Sequence, residues 1–386
     1  MRGASVLVAC AVAVAVAGCG DNDFAEAPHA DLPQVMNLGG PIAKQPRFVV
    51  VTFHGDPLDA QIHDFVSALA SSNYWHAVTS EYGVGTPTVT ALRLPDVAPA
   101  MTSDIDIRNF IYDAIFTRAV LPTPNENTIY ALFYPSGTTM PGACTTYAGY
   151  HSIAIESNTR FAYAVMPRCP NGSLDTFDFI TQVASHEFAE ASTDPEPGIA
   201  TAYGLATDYA WSFYGGGNEI GDMCDSVSQT ILDDTGYVVP RIWSNAAAAA
   251  GTDPCVPHPS GDVYVQAAPD GLEDLSISTS LSPALTVMSR GLQIAVGSTQ
   301  VIPIRLFSDA PTAPLTVWTE QIAVAGATPD RPDLSLALDK HSGVNGDVLQ
   351  LSVTVNADTA GYGHEVFVLH TQLGSSLSTW PVVVAN

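Results

Sequence analysis

From Asp262 to Asn386 the sequence is built of short alternating apolar runs: LQIAVG, QVIPIRLFS, LTVWTEQIAV, LSLAL, VLQLSVTVNA and HEVFVLHTQL, separated by Gly, Pro, Asp and Ser. Period-two alternation at even spacing marks half-buried strands joined by turns, and it leaves no room for a helical second half. The expectation is an all-β sandwich domain over 262–386, immunoglobulin-like at about 110–120 residues. Nothing in it reads as catalytic. His341, His364 and His370 are scattered and read as surface or edge-strand residues.

Upstream, 46–259 mixes two periods. Arg47 to Phe53 is an apolar run of the buried-strand kind, and Asp59–Ser71 carries Ile62, Phe65, Val66 and Leu69 at helical spacing. Strands are expected at Thr128–Tyr134, Ser152–Glu156 and Phe161–Met166, and Asp175–Ser192 shifts to a helical period. This part is therefore α+β. His76, beside Tyr74 and Trp75, reads as packing on a helix; His54 and His63 support no special role.

The first residues read as an export signal. Met1-Arg2 supplies a positive charge, and Ser5–Ala17 is an Ala/Val run too short for a comfortable membrane span. It closes on Val16-Ala17-Gly18-Cys19, the pattern of a bacterial lipobox. The expected organisation is a lipoprotein signal peptide over 1–18, lipidation of Cys19 and a flexible tether over 19–45, rich in Ala, Pro, Asp and Asn. A plain secretory signal cleaved nearby is the alternative. The expected location is exported and lipid-anchored, with the outer membrane favoured because Gly20 rather than Asp follows Cys19, or secreted. The membrane is met only through the anchor.

Charge excludes one class of partner. The chain has 39 acidic against 13 basic residues, and such a surface repels nucleic acid and lacks the Lys/Arg clusters that phosphate recognition needs. Of six cysteines, Cys10 and Cys19 belong to the signal. Cys144, Cys169, Cys224 and Cys255 remain, an even number in an exported chain, which argues for disulfides. Three pairings are open; Cys144–Cys169 and Cys224–Cys255 are preferred because they close loops of moderate length. No CxxC pair exists, which argues against a Cys-rich zinc site or a thioredoxin-like motif.

Chemistry concentrates in Ser185-His186-Glu187-Phe188-Ala189-Glu190-Ala191-Ser192-Thr193-Asp194-Pro195. On a helix His186 and Glu190 stand one turn apart on one face, a spacing that grips a metal ion, and Glu187 leans toward a water on that ion. This is the layout of the His-Glu-x-x-His zinc helix with Glu in place of the second His. A third ligand is expected from Gly215-Gly216-Gly217-Asn218-Glu219-Ile220-Gly221-Asp222, with Glu219 as ligand and Asp222 as its orienter or the alternative ligand. His151 is read as a transition-state hydrogen-bond donor or a fourth ligand.

Taken together, SNYWHAVTSEYGVG (72–85), GACTTYAGYHS (142–152), SHEFAEASTDP, GNEIGDMC, IWSN and Cys255-Val256 resemble secreted bacterial relatives of the plant Exordium (phosphate-induced) proteins, over roughly residues 47–258. The resemblance implies a zincin-like metalloprotease-type domain with a metal site, and it supports that site better than it supports proteolysis. It also favours Cys224–Cys255. The resulting expectation is a zinc-dependent, peptidase-like hydrolase: His186, Glu190 and Glu219 hold the metal and Glu187 acts as general base. Ca²⁺ or Mn²⁺ are the other credible occupants, since two carboxylates favour hard cations. The expected substrate is an extracellular peptide, protein or glycan. The rival expectation is a non-catalytic surface lipoprotein with a structural metal site that binds a glycan or protein partner.

Overall fold

The computed structural model describes residues 24–170, 174, 176–225, 230–279, 285–322 and 333–386; the signal peptide and Cys19 lie outside them. Among the described residues no helix is long and apolar enough to cross a membrane.

The apolar run at Arg47 forms β1 (Arg47–Thr52), central in a sheet with β2 (Thr88–Arg93), β3 (Thr128–Phe133), β4 (Tyr150–Glu156) and β5 (Thr159–Met166). The strand order is β2-β1-β3-β5-β4. β1, β2, β3 and β5 run parallel, and β4 lies antiparallel at one edge with His151 opposite Ala164. Successive residues of a strand point to opposite faces, so a continuous apolar run must be covered on both. Val49 and Val51 pack under α3 (Asp104–Phe116) through Ile107, Ile111 and Ile115. Phe48 and Val50 pack against α1 (Asp59–Leu69), α2 (Asn73–Thr79) and α4 (Thr176–Thr193). Helix α3 opens with a reciprocal cap between Ser103 and Asp106, which satisfies otherwise orphaned backbone donors.

The rotation of α4 follows from its apolar residues. Ile180, Ala184 and Phe188 recur every fourth position and are buried, and the Phe188 ring stacks on Phe48 at 4.3 Å. At 100° per residue this leaves His186 and Glu190 on the side away from Phe188.

The segment after the signal differs from expectation. Leu32, Val35 and Ala43 are buried, Met36–Asn37 pairs with Tyr203–Gly204, and Asn245 brackets Val35 with hydrogen bonds of 2.9 Å and 2.7 Å. A flexible tether reaching Gln45 is therefore corrected: by Leu32 the chain is already part of the fold. A Pro/Asp-rich composition obscured the few apolar side chains that anchor it.

Beyond Asp262, β6 (Val265–Pro269), β7 (Glu273–Ser278), β8 (Thr286–Gln293), β9 (Thr299–Ser308), β10 (Leu315–Ile322), β11 (Leu334–Leu338), β12 (Val348–Val355), β13 (His364–Leu373) and β14 (Ser376–Ala385) form two sheets. One has the order β6-β9-β12-β11, and the other β7-β8-β14-β13-β10 extended by Ser342–Gly343. Ile304, Leu306 and Leu351 of the first share a core with Phe367, Leu369 and Val382 of the second. Strands β6, β7 and β14 escaped the sequence reading, and β8 lies mostly ahead of the LQIAVG run. These sheets also pack on the first part of the chain: Arg290 pairs with Asp208 at 2.9 Å, and Trp211 meets Trp380 at 5.6 Å between ring centres.

Candidate metal centre

Three segments converge on one cleft of about 520 Å³. Helix α4 contributes His186, Glu187 and Glu190; edge strand β4 contributes His151; the glycine-rich loop after α5 (Tyr209–Gly215) contributes Glu219 and leads into the short helix α6 (Asp222–Asp225). The disulfide Cys224–Cys255 ties α6 to the strand pair Ile242–Trp243/Cys255–Val256, and the Trp243 N–H donates to the Ile220 carbonyl at 2.9 Å. Cys144–Cys169 ties the segment preceding β4 to the chain just after β5. Both preferred pairings are present.

His186 Nε2 lies 3.0 Å from Glu190 Oε2 and 3.7 Å from Asp222 Oδ1. With metal–ligand bonds of about 2.1 Å, two ligands of one tetrahedral ion lie about 3.4 Å apart, so these are spacings at which one ion is shared. The other carboxylate oxygen of Glu190 accepts the Gly221 and Asp222 N–H groups at 3.0 Å and 3.1 Å, which fixes its orientation. Asp222 is held in turn by the Glu219 N–H, 3.0 Å from its Oδ2. Of the two acids expected here, Asp222, the alternative ligand, stands with His186 and Glu190, while the Glu219 carboxylate faces His151. The turn at Gly221 and Asp222 is seated on Glu190 by its own N–H groups, whereas Glu219, three residues earlier, comes within 3.3 Å of His151.

His151 occupies the centre of the acidic residues. Its Nδ1 is 3.2 Å from Glu187 Oε2, and its Nε2 is 3.3 Å from Glu219 Oε1. The second contact is near but misaligned, so both His151 Nε2 and Glu219 Oε1 are buried without a hydrogen-bond partner. Buried polar groups are ordinarily satisfied, so an orphaned imidazole nitrogen and carboxylate oxygen this close mark a contact that a turn of the ring would complete. No Lys or Arg lines the cleft. The positive charge that four converging carboxylates require comes from the two imidazoles or from an ion.

The electrostatics carry the same sense. Burial opposes charge on His151, but Glu219, Glu187 and Glu190 outweigh it; at His186 burial is outweighed by Glu190 and Asp222, and both pKa values stand well above the ordinary range. Burial, then the Asp222 and Glu219 charges, push Glu190 up to about 8, with His186 pulling the other way. All three groups bind protons more tightly folded than unfolded, where His and Glu titrate near about 6.5 and 4.3. Their contribution to the metal-free fold is complete in acid and is lost as pH rises through these raised values. Metal ligation needs the protons removed. With chelator present, Tm is therefore expected to fall between pH 5 and pH 8; added Zn²⁺ is expected to raise Tm most at pH 8. Scanning fluorimetry across this range checks both signs.

Four residues of the site escaped the sequence reading. Asp194 is buried, accepts the Ala202 N–H at 2.9 Å through Oδ1 and leaves Oδ2 unpartnered; burial, reinforced by neighbouring Glu219, raises its pKa to about 6. Its position, four beyond Glu190 on the same helical face, was the available signal. Gly149, Gly217 and Gly221 are the others. A Cβ at Gly221 would lie 2.7 Å from His186 Cε1, one at Gly149 would lie 2.4 Å from Val183 Cγ1, and one at Gly217 would strike the Asp222 carboxylate. Glycine is needed at these points for close approach rather than for turning.

The donor set, one imidazole and two carboxylates with a second such group beside it, is one that a divalent cation could use. No family model and no curated protein matches the sequence. Among solved structures, a FixG-related protein from Vibrio parahaemolyticus aligns with 31% of this chain and 91% of its own, at 10% identity and a TM-score of 0.18, too slight a likeness to bear on the site.

Proposed function

We propose that the chain is a divalent-metal-dependent hydrolase, peptidase-like in chemistry and carried on an exported lipoprotein. The α+β part is read as zincin-like, in line with the Exordium resemblance, and the two stacked sheets as an immunoglobulin-like unit packed beside it. The observation that carries the reading is the convergence of His186, Glu190 and Asp222 at ligand spacing next to a separate His151–Glu187 pair, in a cleft without Lys or Arg. His186, Glu190 and Asp222 hold the ion, and the Gly221, Asp222 and Glu219 N–H groups orient the two carboxylates. When bound, the ion supplies Lewis acidity and lowers the pKa of water.

Glu187 and His151 handle the proton. Glu187 is buried beside the ion site, and its Oε2 is poised on His151 Nδ1 at 3.2 Å, so a proton taken up at Glu187 can be shared with the ring. Tyr147, Phe179 and Val183 supply an apolar wall of the cleft against which a substrate side chain would lie. An extracellular peptide or protein fits this wall better than a nucleic acid fits so acidic a chain.

Glu187→Gln is the test. At one equivalent of Zn²⁺ the variant is expected to keep the ion and to lose at least about 100-fold in kcat on a peptide library, the lower range for a general base. Metal-independent cleavage, or wild-type turnover in Glu187→Gln, contradicts the assignment. A bound ion with no hydrolysis in the wild type favours the structural role, in which the chain binds a glycan or protein partner instead.

A further inference from the structure

The cleft offers more ligand atoms than one ion uses. His151, Glu187 and Glu190 also bring one ligand atom each within 4.8 Å of one another. His151 Nδ1 stands 3.2 Å from Glu187 Oε2 and 3.7 Å from Glu190 Oε2, again the separations of two ligands on one ion. Glu190 Oε2 belongs to this group and to the His186 group alike. A carboxylate between two such triads is the arrangement by which proteins hold paired divalent ions.

Two further observations point the same way. The His151 side chain is only 4% exposed, and its Nε2 has no hydrogen-bond partner even though Glu219 Oε1 stands 3.3 Å away. A ring drawn toward a cation at Nδ1 would present an Nε2–H to that carboxylate, the usual support of a metal-bound histidine. The charge balance agrees: Glu187, Glu190, Glu219 and Asp222 meet no Lys or Arg in the cleft. Asp225 lines the same cleft, so one divalent cation leaves carboxylate charge over for a second to meet.

We propose that a second divalent cation binds between His151, Glu187 and Glu190, sharing Glu190 with the first. This rests on the reading of His186, Glu190 and Asp222 as the first site. Glu219 is then a positioning residue acting on His151. The second ion binds more weakly than the first, because it shares a ligand and feels the charge already present. It also occupies Glu187, so loading it withdraws the proton acceptor. The site therefore has a built-in response to metal concentration: turnover rises with the first equivalent and falls with the second.

Equilibrium dialysis of the mature full-length chain against Mn²⁺, read by elemental mass spectrometry and electron paramagnetic resonance, tests this. Two ions per wild-type chain with an exchange-coupled Mn²⁺ spectrum are expected, and one uncoupled ion in His151→Ala and in the near-isosteric Glu187→Gln. Retention of the first ion shows that each variant is folded. One ion in all three proteins overturns the second site while leaving the first intact. Two uncoupled ions in the wild type, or two ions in His151→Ala, overturn it as well, since the second ion then sits elsewhere. No ion in any of them removes the first site and this one together. If both variants fail to fold, the wild-type spectrum alone decides.

Discussion

Glu190→Gln is expected to lower affinity for the first divalent ion by at least about 100-fold, since even partners one step removed from a metal contribute about 10–100-fold. Metal-dependent turnover should vanish with it. The substitution is close to isosteric, and the amide oxygen can still accept the Gly221 and Asp222 N–H groups that now meet Glu190 Oε1. What is lost is charge at the oxygen facing both histidines. The metal-free protein should not suffer: burial beside Asp222 and Glu219 already pushes the Glu190 pKa up to about 8, so a neutral side chain there is the easier one to bury. The expected pattern is a chelator-treated variant at least as stable as wild type at pH 8 but with no gain in Tm on adding Zn²⁺. Wild-type affinity in a chelator competition would contradict the assignment of Glu190. Loss of the fold without metal would mean that the carboxylate serves structure first.

The second large effect concerns the disulfide that anchors the ligand loop. Cys224 and Cys255 are 31 residues apart, and closing a loop of that length is worth about 3–4 kcal/mol through the unfolded chain. The Cys224→Ser/Cys255→Ser protein should lose roughly 5–8 °C in Tm on this account. A second loss is specific to the site. Asp222 lies two residues from Cys224 at the start of α6, and its N–H and that of Gly221 aim Glu190. Freed from the strand bearing Cys255, this turn should hold the ion more weakly, so metal affinity falls together with Tm. Calorimetry and metal titration of the double variant separate the two effects. An unchanged affinity would mean that the glycine loop is held well enough by its own contacts, chiefly the Trp243 N–H to Ile220 bond.

Local pattern carried the fold a long way. The apolar run at Arg47, the every-fourth-residue spacing from Ile180 to Phe188 and the alternation of VLQLSVTV each appear as the element their period implies, because burial selects them directly. What pattern could not carry is pairing at a distance. Strands β6 and β7 are short and interrupted by polar residues, and they exist because neighbouring strands complete their hydrogen bonds. The segment from Ala27 to Ala43 looked like solvated chain, and it is held by contacts to Asn345, Arg290 and Asn245, all far along the sequence.

The site shows the same division. The helix put His186 and Glu190 together by its own geometry, so they were legible, and GNEIGD was legible as a place where acids cluster. Which acid turned inward was not, because the answer depends on the turn at Gly221, where a Cβ would lie 2.8 Å from Glu190 Oε1. His151 was legible as a candidate donor or fourth ligand, but its partners were not. Its place among Glu187, Glu190 and Glu219 follows from β4 running antiparallel at the sheet edge beside α4. Asp194 carried no legible role, yet it is a buried acid that feels the Glu219 charge.

The most direct measurement is an anomalous difference map at the zinc edge from crystals of the mature chain grown with Zn²⁺. A peak bonded to His186 Nε2, Glu190 and Asp222, with His151 and Glu187 beside it, is the predicted result. A cleft without a peak, in which His186 still contacts Glu190 directly, would contradict the metal centre and with it the hydrolase.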